Sequence, residues 1–159
     1  MIKIELIATL SLGLITACSS VVPPEVSQGD ITKQTLLTTE QSFSNNYQSY
    51  KVSEKDLALI KQWPNGIHFD IYFGSWCHDS EREVPKLLKL LQENKALSYR
   101  LIALNYRKAE PKGRAKAANI VYTPTVIVKN AGKELGRIIE RPDVSLVADI
   151  DGFIKKHSN

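Results

Sequence analysis

The sequence predicts an α/β fold in which a central mixed sheet is flanked by helices. Three observations carry that expectation. Ile67, Phe69, Ile71 and Phe73 alternate with His68, Asp70 and Tyr72, which is the period of a strand. Val84, Leu87, Leu88 and Leu91 recur at i, i+3, i+4 and i+7, the apolar stripe of an amphipathic helix over Ser80–Glu93. Two short runs, Thr125–Lys129 and Glu134–Ile139, flank Asn130-Ala131-Gly132-Lys133, which reads as a hairpin turn.

The remaining elements follow in chain order. Thr35–Tyr50 is ambiguous, although Phe43 and Tyr47 lie four apart and allow a short helix. Ser53 is placed to cap a helix with Asp56 at its third position, and that helix should end near Trp63-Pro64-Asn65-Gly66. Tyr99–Leu104 reads as a second central strand and Pro111–Asn119 as a helix. Asp143 is expected to cap a last helix carrying Val147, Ile150 and Ile154 on one face, with Lys155 and Lys156 at the C-terminal end that favours cations. A right-handed crossover makes the first two strands parallel, while the last two form an antiparallel hairpin.

The N-terminus reads as an address. Lys3 gives a short positive start, and Leu6–Ile15 is a mostly apolar run too short to span a bilayer. Ile15-Thr16-Ala17-Cys18 then places small residues before a cysteine, as at a secretory cleavage site. That cysteine resembles the bacterial lipobox, in which it becomes the lipidated N-terminus. An ordinary signal peptide or a buried helix are the alternatives. The expected organisation is a lipoprotein signal peptide over 1–17, a lipidated N-terminus and linker over 18–40, and the globular domain over 41–159. Pro23-Pro24 and Ser27-Gln28-Gly29-Asp30 mark the linker. Ser19 after the lipid cysteine resembles an outer-membrane address, so the expected location is the cell envelope, on the periplasmic face of the outer membrane.

Length and composition allow one domain with a real core: 159 residues, 43% hydrophobic and 24% charged. The net charge of +4, from 21 basic and 17 acidic residues, is mild. It does not call for a nucleic-acid partner, and no aromatic interleaving suggests base stacking. Arg107, Lys108, Lys112, Arg114 and Lys116 do cluster. They make either a solvated face or a contact for an anion such as a peptide carboxylate or a lipid headgroup. His68, His78 and His157 are scattered, so no metal site is expected.

The most informative stretch is Ser75-Trp76-Cys77-His78-Asp79-Ser80, at a strand-to-helix junction. Helix N-terminal N–H groups there favour a thiolate, a protonated His78 would add to this, and Asp79 opposes it. Ser80, one turn on, is placed to donate a hydrogen bond to the sulfur. Pro85 falls inside the helix, and Tyr122-Thr123-Pro124-Thr125 directly precedes the later strand. Trp-Cys-x-x-Ser, the helix-interior proline and the Thr-Pro together resemble the thioredoxin-like superfamily, in a single-cysteine form over about Val52–Lys156. The resemblance implies a thioredoxin-like fold, a cis-proline at Pro124, and a Thr123 whose backbone faces the cysteine and pairs with a bound substrate strand. It also assigns Cys77 as the reactive thiol and places Trp76, His78, Ser80, Thr123 and Pro124 around the substrate.

Two departures qualify the activity. Ser80 cannot resolve a mixed disulfide. The family's buried acid, six residues before the cysteine, is here Ile71; Asp70 is on the opposite face of its strand, where a hydrogen-bonded structural pair with His68 is the simpler reading. Two functions remain open. In one, Cys77 performs one-cysteine thiol–disulfide exchange on exported proteins, as an isomerase or as a reductase of mixed disulfides. No resident cofactor is then required, and glutathione, another small thiol or a partner protein resolves the intermediate. In the other, the chain is a catalytically inactive binding module or an accessory to envelope assembly.

Overall fold

The computed structural model describes residues 27–157. Cys18 and the segment read as a signal peptide lie outside those residues. The elements in chain order are β1 (Gly29–Ile31), α1 (Lys33–Thr39), α2 (Gln41–Ser49), α3 (Glu54–Ile60), β2 (Ile67–Phe73), α4 (His78–Leu91), β3 (Ser98–Ala103), α5 (Arg114–Ala117), β4 (Thr125–Asn130), β5 (Lys133–Ile139) and α6 (Leu146–Lys156). The five strands form one sheet in the order β1-β3-β2-β4-β5. β2 and β3 run parallel through the α4 crossover, and the other neighbours are antiparallel. The sequence expectation of an α/β mixed sheet flanked by helices holds.

The alternation in β2 sends its side chains to two layers. Ile67, Phe69, Ile71 and Phe73 join the main core with Leu36 of α1, Phe43 of α2, Ile60 of α3, Val84, Leu87 and Leu88 of α4, and Val147, Ile150 and Ile154 of α6. On the other face Tyr72, Ile102 and Ile127 meet Ala115 of α5 and Ile120 in a smaller cluster. One short helix cannot cover a five-stranded sheet. Polar side chains close the rest of that face: Asp70 is 3% exposed and receives Lys129 Nζ at 2.6 Å, Arg100 Nε at 3.1 Å and His68 Nε2 at 3.3 Å. Burial alone would raise the Asp70 pKa. The hydrogen bond from Lys129, the charges of Lys129 and Arg100 and the His68 contact outweigh it and hold the carboxyl below its ordinary value. The expected His68–Asp70 pair is therefore part of a larger structural cluster.

Four sequence expectations need correction. The stretch read as linker before residue 41 contains β1 and α1: Gly29–Ile31 pairs with Leu101–Ala103, and Leu36 is fully buried. A three-residue strand shows no readable period, and Asp30 holds it through Arg114 Nη1 and Lys112 Nζ, each at 2.6 Å. Those two cations lower the Asp30 pKa to about 2. The expected helix Pro111–Asn119 is one turn, because Gly113 turns left-handed at its start (φ 68°). The last helix is capped by Ser145, which accepts from Ala148 N–H, while Asp143 donates its own backbone N–H to Asp149. The helix carrying the motif starts at His78, two residues before the expected Ser80.

Pro85 inside α4 has no N–H, which leaves the Glu81 carbonyl without its helical donor. Asn46 Nδ2 of α2 donates to that carbonyl at 2.8 Å. Phe43 of α2 also lies against Phe73 of β2 at 5.7 Å between ring centroids. The helix that carries the cysteine is thereby fixed to its neighbour where its own ladder is interrupted.

Candidate functional site

Cys77 is where β2 hands over to α4. Its backbone N–H donates to Gly74 O at 3.1 Å, closing a turn after the strand, and its carbonyl accepts from Glu81 N–H at 2.9 Å, opening the helix. Cys77 is thus the N-cap residue, half-buried and unpaired with any other cysteine among the described residues. The Thr123–Pro124 peptide is cis. Cys77 Sγ donates to Thr123 O at 3.1 Å, so the fold brings the motif and the Thr-Pro together across 46 residues. Thr123 is 4% exposed, and Thr125 Oγ1 donates to Tyr122 O at 2.8 Å to hold this corner.

The other expected neighbours point elsewhere. Ser80 is fully buried and its hydroxyl accepts from Gly74 N–H at 3.3 Å; the expected Ser80 hydrogen bond to the sulfur is not formed. Ser80 is a brace between the helix and the loop before the cysteine. His78 has a nearly fully exposed side chain whose Nδ1 lies 3.3 Å from Glu81 Oε2, so it does not contact the sulfur. Asp79 is paired with Arg82 at 2.6 Å, which draws its charge along the helix. The sulfur accepts none of the first-turn N–H groups in this geometry.

Trp76 is held by its own set of contacts. Its indole N–H donates to Leu104 O at 3.0 Å, its ring stacks on Tyr106 at 4.9 Å between centroids, and Lys108 Nζ lies 5.9 Å from the ring centre. A Cβ added at Gly74 would sit 2.5 Å from Trp76 Cε2, so the indole lies directly on the glycine. Lys108 has φ 57°, in a tight loop where Asn105 Oδ1 accepts from Arg107 N–H and Ala109 N–H at 2.9 and 3.0 Å. The sequence singled out Trp76, and Lys108 as a member of the basic cluster, but not Gly74, Asn46 or Tyr106, nor the placement of Lys108 over Trp76. The glycine next to the motif was a signal in plain view. The others act across the fold and left no local pattern.

A cysteine at a helix start facing a cis Thr-Pro corner, on a β1-β3-β2-β4-β5 sheet, is the setting in which the family comparison becomes decisive. A family model described as thioredoxin matches residues 27–148. The chain belongs to the thioredoxin family. Membership points to thiol–disulfide redox chemistry in general terms. An HIV epitope-scaffold is similar with a TM-score of 0.65 and 16% identity, over 82% of this chain and 94% of that one. A protein of unknown function from Pseudomonas aeruginosa is similar with a TM-score of 0.64 and 16% identity, over the same shares. Thioredoxin f2 of Chlamydomonas reinhardtii is also similar, with a TM-score of 0.45 and 16% identity over 64% of this chain and 88% of that one. At such identities the likeness of the first two is one of fold. No curated protein matches the sequence. Among the described residues Cys77 is the one cysteine, and Ser80 stands three positions after it.

Proposed function

We propose that this thioredoxin-family protein carries out monothiol thiol–disulfide exchange on exported proteins through Cys77. The supporting observation is the unpaired, half-buried Cys77 at a helix N-terminus, 3.1 Å from the backbone of Thr123 beside the cis Pro124. The Cys77 thiolate attacks one sulfur of a substrate disulfide, forming a mixed disulfide and expelling the other substrate sulfur as thiolate. An incoming thiolate, from glutathione, another small thiol or a partner protein, then attacks the mixed disulfide. It regenerates Cys77 and leaves with the substrate sulfur as a new disulfide. One disulfide is present at every stage, so no net oxidation occurs and no second motif cysteine is required. Thr123 and Pro124 bind the extended substrate, and Trp76 and His78 flank it. Ser80 supports the site through Gly74.

Lipidation at Cys18 would hold the domain in the cell envelope, on the periplasmic face of the outer membrane. Two or more acyl chains anchor stably where one does not. Ile15-Thr16-Ala17-Cys18 supports this part of the reading. Mass spectrometry of exported protein tests it: a Cys18 carrying two or more acyl chains, lost in Cys18→Ser, is the expected result, and an unmodified soluble protein overturns it.

The exchange reading is tested by incubating the protein with a glutathionylated model protein and glutathione. Release of the model thiol, abolished by Cys77→Ser, is expected. A wild-type rate equal to that of Cys77→Ser overturns it. One observation favours a second reading, that of an inactive binding module: the sulfur donates to Thr123 O, and neither Ser80 nor His78 reaches it. Under that reading a partner binds equally well to wild type and Cys77→Ser, and no mixed disulfide is trapped.

A further inference from the structure

Five cations cluster over residues 107–116, and they do not share one fate. Lys112 and Arg114 are taken up internally by Asp30, and Arg114 also by Glu110. Glu110 has a fully buried side chain. Burial would raise its pKa, but the backbone N–H groups of Lys112 and Arg114 and the Arg114 guanidinium outweigh this and hold it ionised. Glu110 is thus already saturated. Arg107, Lys108 and Lys116 have no acidic partner among the described residues, and all three line one cleft of about 470 Å³ whose wall also holds Ile120 and the Arg114-paired Glu110.

Two segments of the chain link that cleft to the cysteine. Lys108 lies over Trp76, the residue before Cys77. The chain leaving Ile120 runs through Val121 and Tyr122, which are 60% and 51% exposed, directly into Thr123 opposite the sulfur. Tyr106, stacked on Trp76, is 62% exposed. Exposed large side chains thus flank the site on two segments, Tyr106 on Trp76 and Val121 and Tyr122 leading into Thr123, near cations that have no acidic partner. Large apolar side chains left in water next to a site mark a contact surface, and the uncompensated cations set the sign of what covers it.

We infer that Arg107, Lys108 and Lys116 form a docking cleft for an acidic stretch of the partner polypeptide, next to the segment presented to Cys77. This deepens the exchange reading by naming its substrate class, but the docking itself needs only the groove. A polypeptide fits better than a membrane surface, because the charge lines a concave cleft, which an extended chain can enter and a flat bilayer cannot.

The test uses the full chain carrying Cys77→Ser, so that binding is free of exchange. A dye-labelled Glu-rich peptide and its Gln counterpart are titrated by fluorescence anisotropy at low and high salt. The Glu peptide should bind about tenfold more tightly than the Gln peptide, the yield of three modest ion pairs, and the preference should fade as salt rises. Arg107→Gln, Lys108→Gln and Lys116→Gln together should erase it at an unchanged melting temperature. Lys51→Gln with Lys55→Gln, as an exposed control pair, should keep it. Equal binding of the two peptides overturns the inference. So does a preference that survives the triple substitution, or a triple substitution that abolishes binding to phosphatidylglycerol vesicles and leaves the peptide preference intact. An acidic preference without exchange at Cys77 defeats the proposed activity alone. Exchange without that preference defeats this inference alone.

Discussion

Gly74→Ala probes how the loop before the cysteine is built. The added methyl would lie 2.5 Å from Trp76 Cε2 and 2.8 Å from both Cζ2 and Nε1. Ordinary contact begins near 3.5 Å, so the indole must move by about 1 Å. The backbone itself is no obstacle, since Gly74 is not among the residues with positive φ. Moving the ring stretches the 3.0 Å bond from Trp76 to Leu104 O, worth about 1 kcal/mol. It also disturbs the 4.9 Å stack on Tyr106, worth about 0.5–1.5 kcal/mol, and the Lys108 contact, worth about 0.5–1 kcal/mol. The expected loss is about 2–3.5 kcal/mol. Urea denaturation of Gly74→Ala, Trp76→Leu and the double variant measures it as a cycle. Because the clash needs the indole, Gly74→Ala should cost less than about 0.5 kcal/mol once Trp76 is Leu. Additive losses in the double variant would refute the reasoning, as would a neutral Gly74→Ala with unchanged near-ultraviolet dichroism.

Other predictions concern the same framework. Asn46→Ala leaves the Glu81 carbonyl without a donor at the Pro85 gap and should cost about 1–2 kcal/mol in urea denaturation; an unchanged midpoint would refute this. Asp70 has a folded pKa below its unfolded value, so its contribution is fully present above about pH 4 and is lost as pH falls through the folded value. Asp70→Asn should lower stability at pH 7 by about 2 kcal/mol and flatten its acid dependence below pH 4, read from melting temperatures across pH. Ser80→Cys should close a disulfide with Cys77 under mild oxidation, since positions three apart on a helix are neighbours, and should gain dithiol reductase activity. Two titratable thiols remaining after oxidation would contradict it. Ser145→Ala should cost about 1 kcal/mol through the lost cap, whereas Asp143→Ala should leave the helix end less affected.

Side-chain period alone determined the parts of this protein where one face meets a core. The bounds of β2 agree with the alternation of Ile67–Phe73, and the stripe in α4 lies in the main core as its spacing required. The motif at Cys77 and the Thr-Pro at 123–124 were likewise legible, because both are carried by residue types with unusual chemistry at strand ends. Tertiary structure decided what no local period encodes. β1 has three residues and exists through its pairing with β3, about seventy positions away. Ser80 could face either the sulfur or Gly74, and the loop packed beneath Trp76 settles it on Gly74. The Asn46 amide finds its carbonyl only because α2 crosses α4 at the proline. The basic cluster divides into bound and unpaired charges only once Asp30 and Glu110 are placed beside it. A sequence states which groups need partners; the packing of distant segments determines which partner each one meets.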